Sequence, residues 1–170
     1  MISCRISKYD PQYRGPDGVY KKNEWTSICD IGGVFDDGVL TRDEYLATES
    51  RYIGVFRDIL EELNIKMLCL SDFEVCNNIP EIRQYKRNKV LNVDASCLFL
   101  TNCLRENCWG RLKSKRAKWF NAYVGYDYYL HINAIGDYCA ILGIVAKYGL
   151  FCEWTGSEKE PSCLSSGSGL

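Results

Sequence analysis

Thr41-Arg42-Asp43-Glu44 opens a run that passes through Tyr45, Tyr52, Phe56, Ile59, Leu60 and Leu63 and ends in Asn64-Ile65-Lys66-Met67-Leu68-Cys69-Leu70. Its reading decides the fold. Thr41 and Glu44 have the spacing of a capping box, in which the hydroxyl accepts from the N3 amide and the carboxylate returns to the N-cap amide. The apolar residues recur every three or four positions and so share one helical face, while Asp58, Glu61 and Glu62 fall largely off it. The pattern predicts a helix over 42–63, stopped near Asn64. Lys66 to Leu70 is a short apolar run and predicts a strand. A helix with one apolar stripe needs a surface to lie on, and helix leading straight into strand suggests a sheet as that surface.

Working outward, Ile2, Cys4 and Ile6 alternate with polar residues, which predicts a half-buried strand over 2–8. Turn dipeptides fill 10–18, Ser27 is placed to cap a short helical turn ending at Gly32 or Gly33, and Asp36-Asp37-Gly38 reads as a turn. Pro80 interrupts 72–93, where a short helix is expected around Glu81 to Arg87. A second helix, about 95–106, carries Leu98, Phe99 and Leu104 behind Asp94 or Ser96 as cap. Cys108 to Lys113, Trp119 to Val124 and Tyr128 to Ile132 are rich in aromatic and β-branched residues and predict a three-stranded meander. A third helix is expected over 136–148, with Asp137 near its start and Gly149 just past its end, and a last strand over 150–154. The fold class is α+β: one domain over 1–154, with a mostly antiparallel sheet and about three covering helices. The Gly- and Ser-rich stretch 155–170 is expected to be a flexible tail.

Of 170 residues, 46% are apolar and 25% charged, an ordinary globular balance. The net charge of −1 conceals a pattern. Residues 1–80 hold 14 acids and 9 bases, residues 81–120 hold 3 acids and 10 bases, and residues 121–170 hold 5 acids and 2 bases. A central basic block between acidic flanks either makes faces of opposite sign or pairs internally. The first residues are too polar for a secretory leader, and no apolar run approaches the roughly 20 residues of a membrane span. A cytoplasmic protein without membrane contact is the expectation. The ten cysteines include no Cys-x-x-Cys pair. In a chain long enough to build its own core they are expected to be unbridged packing residues, without zinc.

Candidate chemistry is sparse. His131 is the one histidine and has no nucleophile motif to serve, so a structural role competes with an acid–base one. The acids Asp30, Asp36, Asp37, Asp43 and Glu44 cluster in sequence without cation-loop spacing. The run Lys113-Ser114-Lys115-Arg116-Ala117-Lys118 lies at a predicted hairpin turn beside Trp109, Trp119 and Phe120, an arrangement seen in nucleic-acid contacts but equally in solvated turns. The glycines form no phosphate loop. No catalytic residue, metal or cofactor is assigned.

Two stretches carry a resemblance. One comprises Ser7-Lys8-Tyr9-Asp10-Pro11, Tyr13-Arg14, Gly18-Val19-Tyr20, Glu24-Trp25-Thr26-Ser27, Asp30-Ile31-Gly32 and Leu40-Thr41 with Glu44-Tyr45-Leu46. The other is Tyr123-Val124-Gly125-Tyr126-Asp127-Tyr128-Tyr129. Together they resemble a group of small bacterial proteins associated with immunity proteins of polymorphic toxin and contact-dependent inhibition systems. The resemblance implies a protein that binds a cognate toxin one to one and occludes its active site or substrate path. Trp25, Tyr126, Asp127 and Tyr128, in or beside predicted loops, are the candidate anchors. Asp30, Asp36 and Asp37 are the candidate contacts to a basic toxin surface. The alternatives are a small enzyme or nucleotide-handling protein using His131 and a nucleic-acid or regulatory module using the 113–118 hairpin.

Overall fold

The predicted capping box forms in the computed structural model, which describes residues 1–114 and 119–163. The Glu44 amide donates to Thr41 Oγ1 at 3.2 Å, and the Thr41 amide donates to Glu44 Oε2 at 2.9 Å. Helix α1 follows, Arg42–Glu62. It stops as a Schellman turn: Asn64 takes a left-handed φ of 53°, its amide donates to the Glu61 carbonyl, and the Ile65 amide donates to Leu60. All six stripe residues, Tyr45, Tyr52, Phe56, Ile59, Leu60 and Leu63, are buried.

What α1 lies on is a seven-stranded antiparallel sheet. Its strands are β1 (Ile2–Ser7), β4 (Met67–Val75), β5 (Val90–Asn92), β6 (Cys108–Lys113), β7 (Phe120–Val124), β8 (Leu130–Ala134) and β9 (Phe151–Trp154), in the order β5-β4-β6-β7-β8-β1-β9. A separate hairpin pairs β2 (Val34–Phe35) with β3 (Gly38–Val39), and its turn is the predicted Asp36-Asp37-Gly38. The predicted meander is β6-β7-β8. The N-terminal strand enters between β8 and β9 and is paired on both sides. Helices α2 (Val93–Leu104) and α3 (Tyr138–Lys147) pack beside α1. The fold is thus α+β, a sheet covered by three helices.

Strand alternation sorts the side chains. Ile2, Cys4 and Ile6 of β1 are buried, as are Leu130, Ile132 and Ala134 of β8, Phe120, Ala122 and Val124 of β7, and Cys108 and Leu112 of β6. Gly110 continues the β6 series, and its lack of a side chain is required. A Cβ there would lie 2.9 Å from both Phe99 of α2 and Leu70 of β4. Apart from the buried Asn121 of β7, the intervening residues of these strands are half-buried or exposed on the other face.

Several boundaries differ from expectation. The strand expected over 66–70 continues to Val75 through a bulge between Ser71 and Glu74, with Asp72 at φ 53°. The helix expected near 81–87 is a single 3-10 turn, Pro80–Ile82. The cap of α2 is Asn92, whose Oδ1 accepts from the Ala95 amide at 2.8 Å, and Ser96 is buried inside the helix. Strand β8 starts at Leu130 because Tyr126–Tyr128 forms a 3-10 turn with Asp127 and Tyr128 at positive φ.

The cysteines hold one correction. Cys139 and Cys163 form a disulfide with Cα atoms 5.5 Å apart, and the other eight are free. The chain turns back after β9 and brings residue 163 to the first turn of α3, a proximity that spacing alone does not reveal. On the way Trp154 Nε1 donates to the Glu158 carbonyl and Tyr138 donates to Glu160, both at 2.7 Å. Part of the stretch expected as a loose tail therefore has fixed contacts. Cys103 and Cys108 meet as thiols in the core, Sγ atoms 3.9 Å apart, and burial pushes the Cys103 thiol well up.

One charged residue on the buried side of α1 escaped the sequence pattern. Glu49 is 5% exposed and accepts two hydrogen bonds from Arg105, the residue that ends α2, at 2.6 and 2.7 Å. The pair joins the two helices. Arg105→Met leaves that carboxylate without its donor and should lower the urea-unfolding free energy by about 2 kcal/mol. A double-mutant cycle with Glu49→Gln should return a coupling of at least about 1 kcal/mol, and a coupling near zero contradicts the assignment.

Candidate functional site

Two surfaces gather functional side chains. The first is a cleft of about 490 Å³ between the N-terminal loops and α1, lined by Lys8, Tyr13, Lys22, Glu24, Trp25 and Asp37 among others. Lys8 sits at its base with 7% of its side chain exposed. Its Nζ is 2.7 Å from Glu24 Oε2 and lies 4.1 and 4.3 Å from the ring centroids of Tyr9 and Trp25. Burial pushes the Lys8 ammonium below its ordinary pKa, only partly opposed by Glu24. Glu24 also accepts from the Tyr20 hydroxyl at 2.7 Å and lies 3.3 Å from Lys22, which pairs with Asp37. Burial alone would raise the Glu24 carboxyl, but the hydrogen bonds from Lys8 and Tyr20 and the charges of Lys8 and Lys22 together hold it below the usual value. These charges are committed to one another.

The second surface is the face of the sheet that carries no helix among the described residues. Strand register lines up Glu153, Arg5, His131 and Tyr123 across β9, β1, β8 and β7. Arg111 of β6 extends the row, its guanidinium 4.4 Å from the Tyr123 centroid. His131 is stacked flat on Tyr123, with centroids 4.7 Å and planes 8° apart. Burial, then the charges of Arg5 and Arg111, hold the imidazole below its ordinary pKa, so it is neutral near pH 7. At one end of the row Arg5 and Arg14 clamp Glu153 through four hydrogen bonds of 2.7–3.1 Å, and Arg14 also donates to the Tyr129 hydroxyl at 2.8 Å. Toward the other end Trp109 and Tyr126, 37% and 81% exposed, lie 5.5 Å apart.

The residues picked from the sequence do not form one site. Trp25 and Asp37 both line the cleft. Asp30 accepts from the Thr26 and Ser27 amides and closes a capping box on its own turn. Asp36 accepts from the Asn23 amide at 2.9 Å. Tyr128 is 3% exposed. Its ring packs against Trp25, Tyr45 and Tyr52 at 5.0–5.8 Å behind the cleft, so it is a core residue. Tyr126 projects from the same turn onto Trp109, and Asp127 is exposed beside it. No described side chain shares a hydrogen bond with the His131 ring, and His131 does not line the cleft. Of the basic hairpin, Lys113 and Ser114 are described and 115–118 lie outside the described residues. Among the described residues no group of His, Cys, Asp and Glu is placed to hold a metal ion, and no helix is long and apolar enough to cross a membrane.

The row across the open face escaped sequence reading because its members are remote along the chain and meet only through register. The period-two alternation of β1, β6 and β8 was the available signal. No protein family, curated protein or solved structure matches this chain.

Glu24 and Glu153 make the ion pairs testable by pH. Burial works against the charged form of Glu153 too, but hydrogen bonds from Arg5 and Arg14 outweigh it and hold the carboxyl low. A carboxylate whose folded pKa is depressed contributes stability that is complete above its ordinary value of 4.5 and is lost as pH falls through the lower folded value. Urea unfolding measured from pH 6 down to about pH 3 should therefore weaken on acidification, with a shallower decline in Glu24→Gln/Glu153→Gln. An unchanged slope contradicts the assignment.

Proposed function

We propose that this chain is an immunity-type binding protein of a bacterial cytoplasm that neutralises a cognate protein toxin by covering its active site or substrate path. The observation that supports this reading most is the helix-free sheet face, where Arg5, Tyr123, His131, Arg111, Trp109 and Tyr126 form a continuous strip of aromatic and cationic groups. Trp, Tyr and Arg are the residue types that carry most binding energy at tight interfaces. All of the strip but Tyr126, which sits in the 3-10 turn before β8, is built on regular strands, so little order has to be gained on binding. The likeness of the 7–46 and 123–129 stretches to immunity proteins supports the same reading. The Cys139–Cys163 bond closes the loop that contains α3 and β9, and Cys163 packs against the core. A cytoplasmic setting thus requires that the core survive its reduction.

An enzymatic role through His131 has less support. The imidazole is stacked on Tyr123 between two arginines, and no thiol or hydroxyl is hydrogen-bonded to it among the described residues. Nucleophilic or general-base chemistry needs such a partner within reach.

The test is calorimetry with the product of the neighbouring gene. The expected result is a tight one-to-one complex, with Trp109→Ala and Tyr126→Ala each weakening it by about tenfold or more. Absence of a complex, together with absence of protection in cells expressing that product, overturns the reading.

A further inference from the structure

We infer that the half of the open face around β4 and β6 docks an acidic protein surface, a deepening that rests on the binding-protein reading above. The basis is how the chain spends its charges. The acids that seemed free to meet a basic partner are occupied at home: Asp30 in its capping box, Asp36 on the Asn23 amide and Asp37 on Lys22. Among the described residues, the central basic block is not fully neutralised in return. Arg105 is matched to Glu49, but Arg87, Arg111 and Lys113 converge on a single carboxylate, Asp72, at 3.5, 3.6 and 3.6 Å. Three cations thus share one anion through long, exposed contacts. Across 67–92 and 108–114 the chain carries six bases, Arg83, Lys86, Arg87, Lys89, Arg111 and Lys113, against three acids, Asp72, Glu74 and Glu81.

The Asp72 carboxylate is displayed by the bulge in β4, where its φ is 53°. It gathers the three cations into one spot, and one of them, Arg111, lies against Tyr123. A carboxylate-rich surface brings the anions this cluster lacks, and the guanidinium groups of Arg87 and Arg111 suit two-pronged hydrogen bonding to carboxylates. Charge complementarity of this kind accelerates and orients association. A nucleic acid is the other polyanion to weigh, and the rings fit it less well. Tyr123 is stacked on His131 and carries the Arg111 guanidinium, while Trp109 is tilted 48° to Tyr126, so the strip offers no parallel stacking platform for successive bases.

The experiment uses the full chain and two labelled probes of equal formal charge: a poly-glutamate peptide and a single-stranded oligonucleotide. Fluorescence anisotropy should show the peptide binding at low salt and weakening as salt rises. Arg87→Glu/Arg111→Glu/Lys113→Glu should lower its affinity by at least about tenfold. Arg42→Glu, at the start of α1 in the helical layer, should leave it unchanged. Circular dichroism confirms that the triple variant folds, and Arg87→Gln/Lys113→Gln gives a milder version of the same loss. Absence of peptide binding, an affinity indifferent to the triple reversal, or tighter binding of the oligonucleotide overturns the inference. Its failure is separable from that of the function. A neighbour-encoded partner that binds the triple variant as tightly as the parent removes the acidic docking surface and leaves the immunity reading standing. Charge-dependent peptide binding without any such partner does the reverse.

Discussion

Burial of the α1 stripe against the sheet is the interaction on which the rest of the structure depends. Tyr45, Tyr52, Phe56, Ile59 and Leu60 leave essentially no surface to water, and each large apolar side chain so buried is worth roughly 1.5–3 kcal/mol. The stripe needs a continuous apolar surface, and β1, β8, β7 and β6 supply it with alternate residues. Once these residues face the helices, the pleat sends their neighbours to the opposite side. The described residues form three α-helices, which lie on one side. The row from Glu153 through Arg5, His131 and Tyr123 to Arg111 is the direct consequence of that one-sided cover.

How much of this is legible in the sequence depends on whether the deciding contact is local. The cap, length and buried face of α1 follow from residues within a few positions of one another, and β1 likewise has a clear period of two. The cap of α2 is less visible, because Asn92, Asp94 and Ser96 are all chemically able to cap, and the choice depends on where β5 delivers the chain. The start of β8 is displaced because Asp127 and Tyr128 adopt left-handed backbone, which residue type does not predict for a tyrosine. Its ring is held in the aromatic cluster formed with Trp25, Tyr45 and Tyr52. Glu49 has no local mark in the sequence, because its partner Arg105 comes from the end of α2. The Cys139–Cys163 bond and the cross-strand row are long-range and have no local signature.

The same distinction governs the candidate site. Trp25, Asp30, Asp36 and Asp37 attract notice as aromatic and acidic groups in loops, yet loops must satisfy their own backbone, and Asp30 and Asp36 do that work. Lys22 takes up Asp37, and Lys8 and Glu24 close the base of the cleft between them. The cleft is therefore electrostatically self-sufficient. The open face is different: its cations outnumber the acids in reach, and Trp109 and Tyr126 expose apolar area next to them. Unspent charge beside exposed aromatic surface is the signature of an interface more than of a solvated wall.

Side-chain footprinting by hydroxyl radicals tests the central claim, that the helix-free face is where this protein binds, most directly. Tyr126, Trp109 and Tyr123 should be modified in the free chain in the order of their exposure and become protected in complex with the neighbour-encoded partner, while Tyr13 at the cleft keeps its reactivity. Protection of Tyr13 and Trp25 with Tyr126 and Trp109 still reactive would place the contact at the cleft and contradict the account.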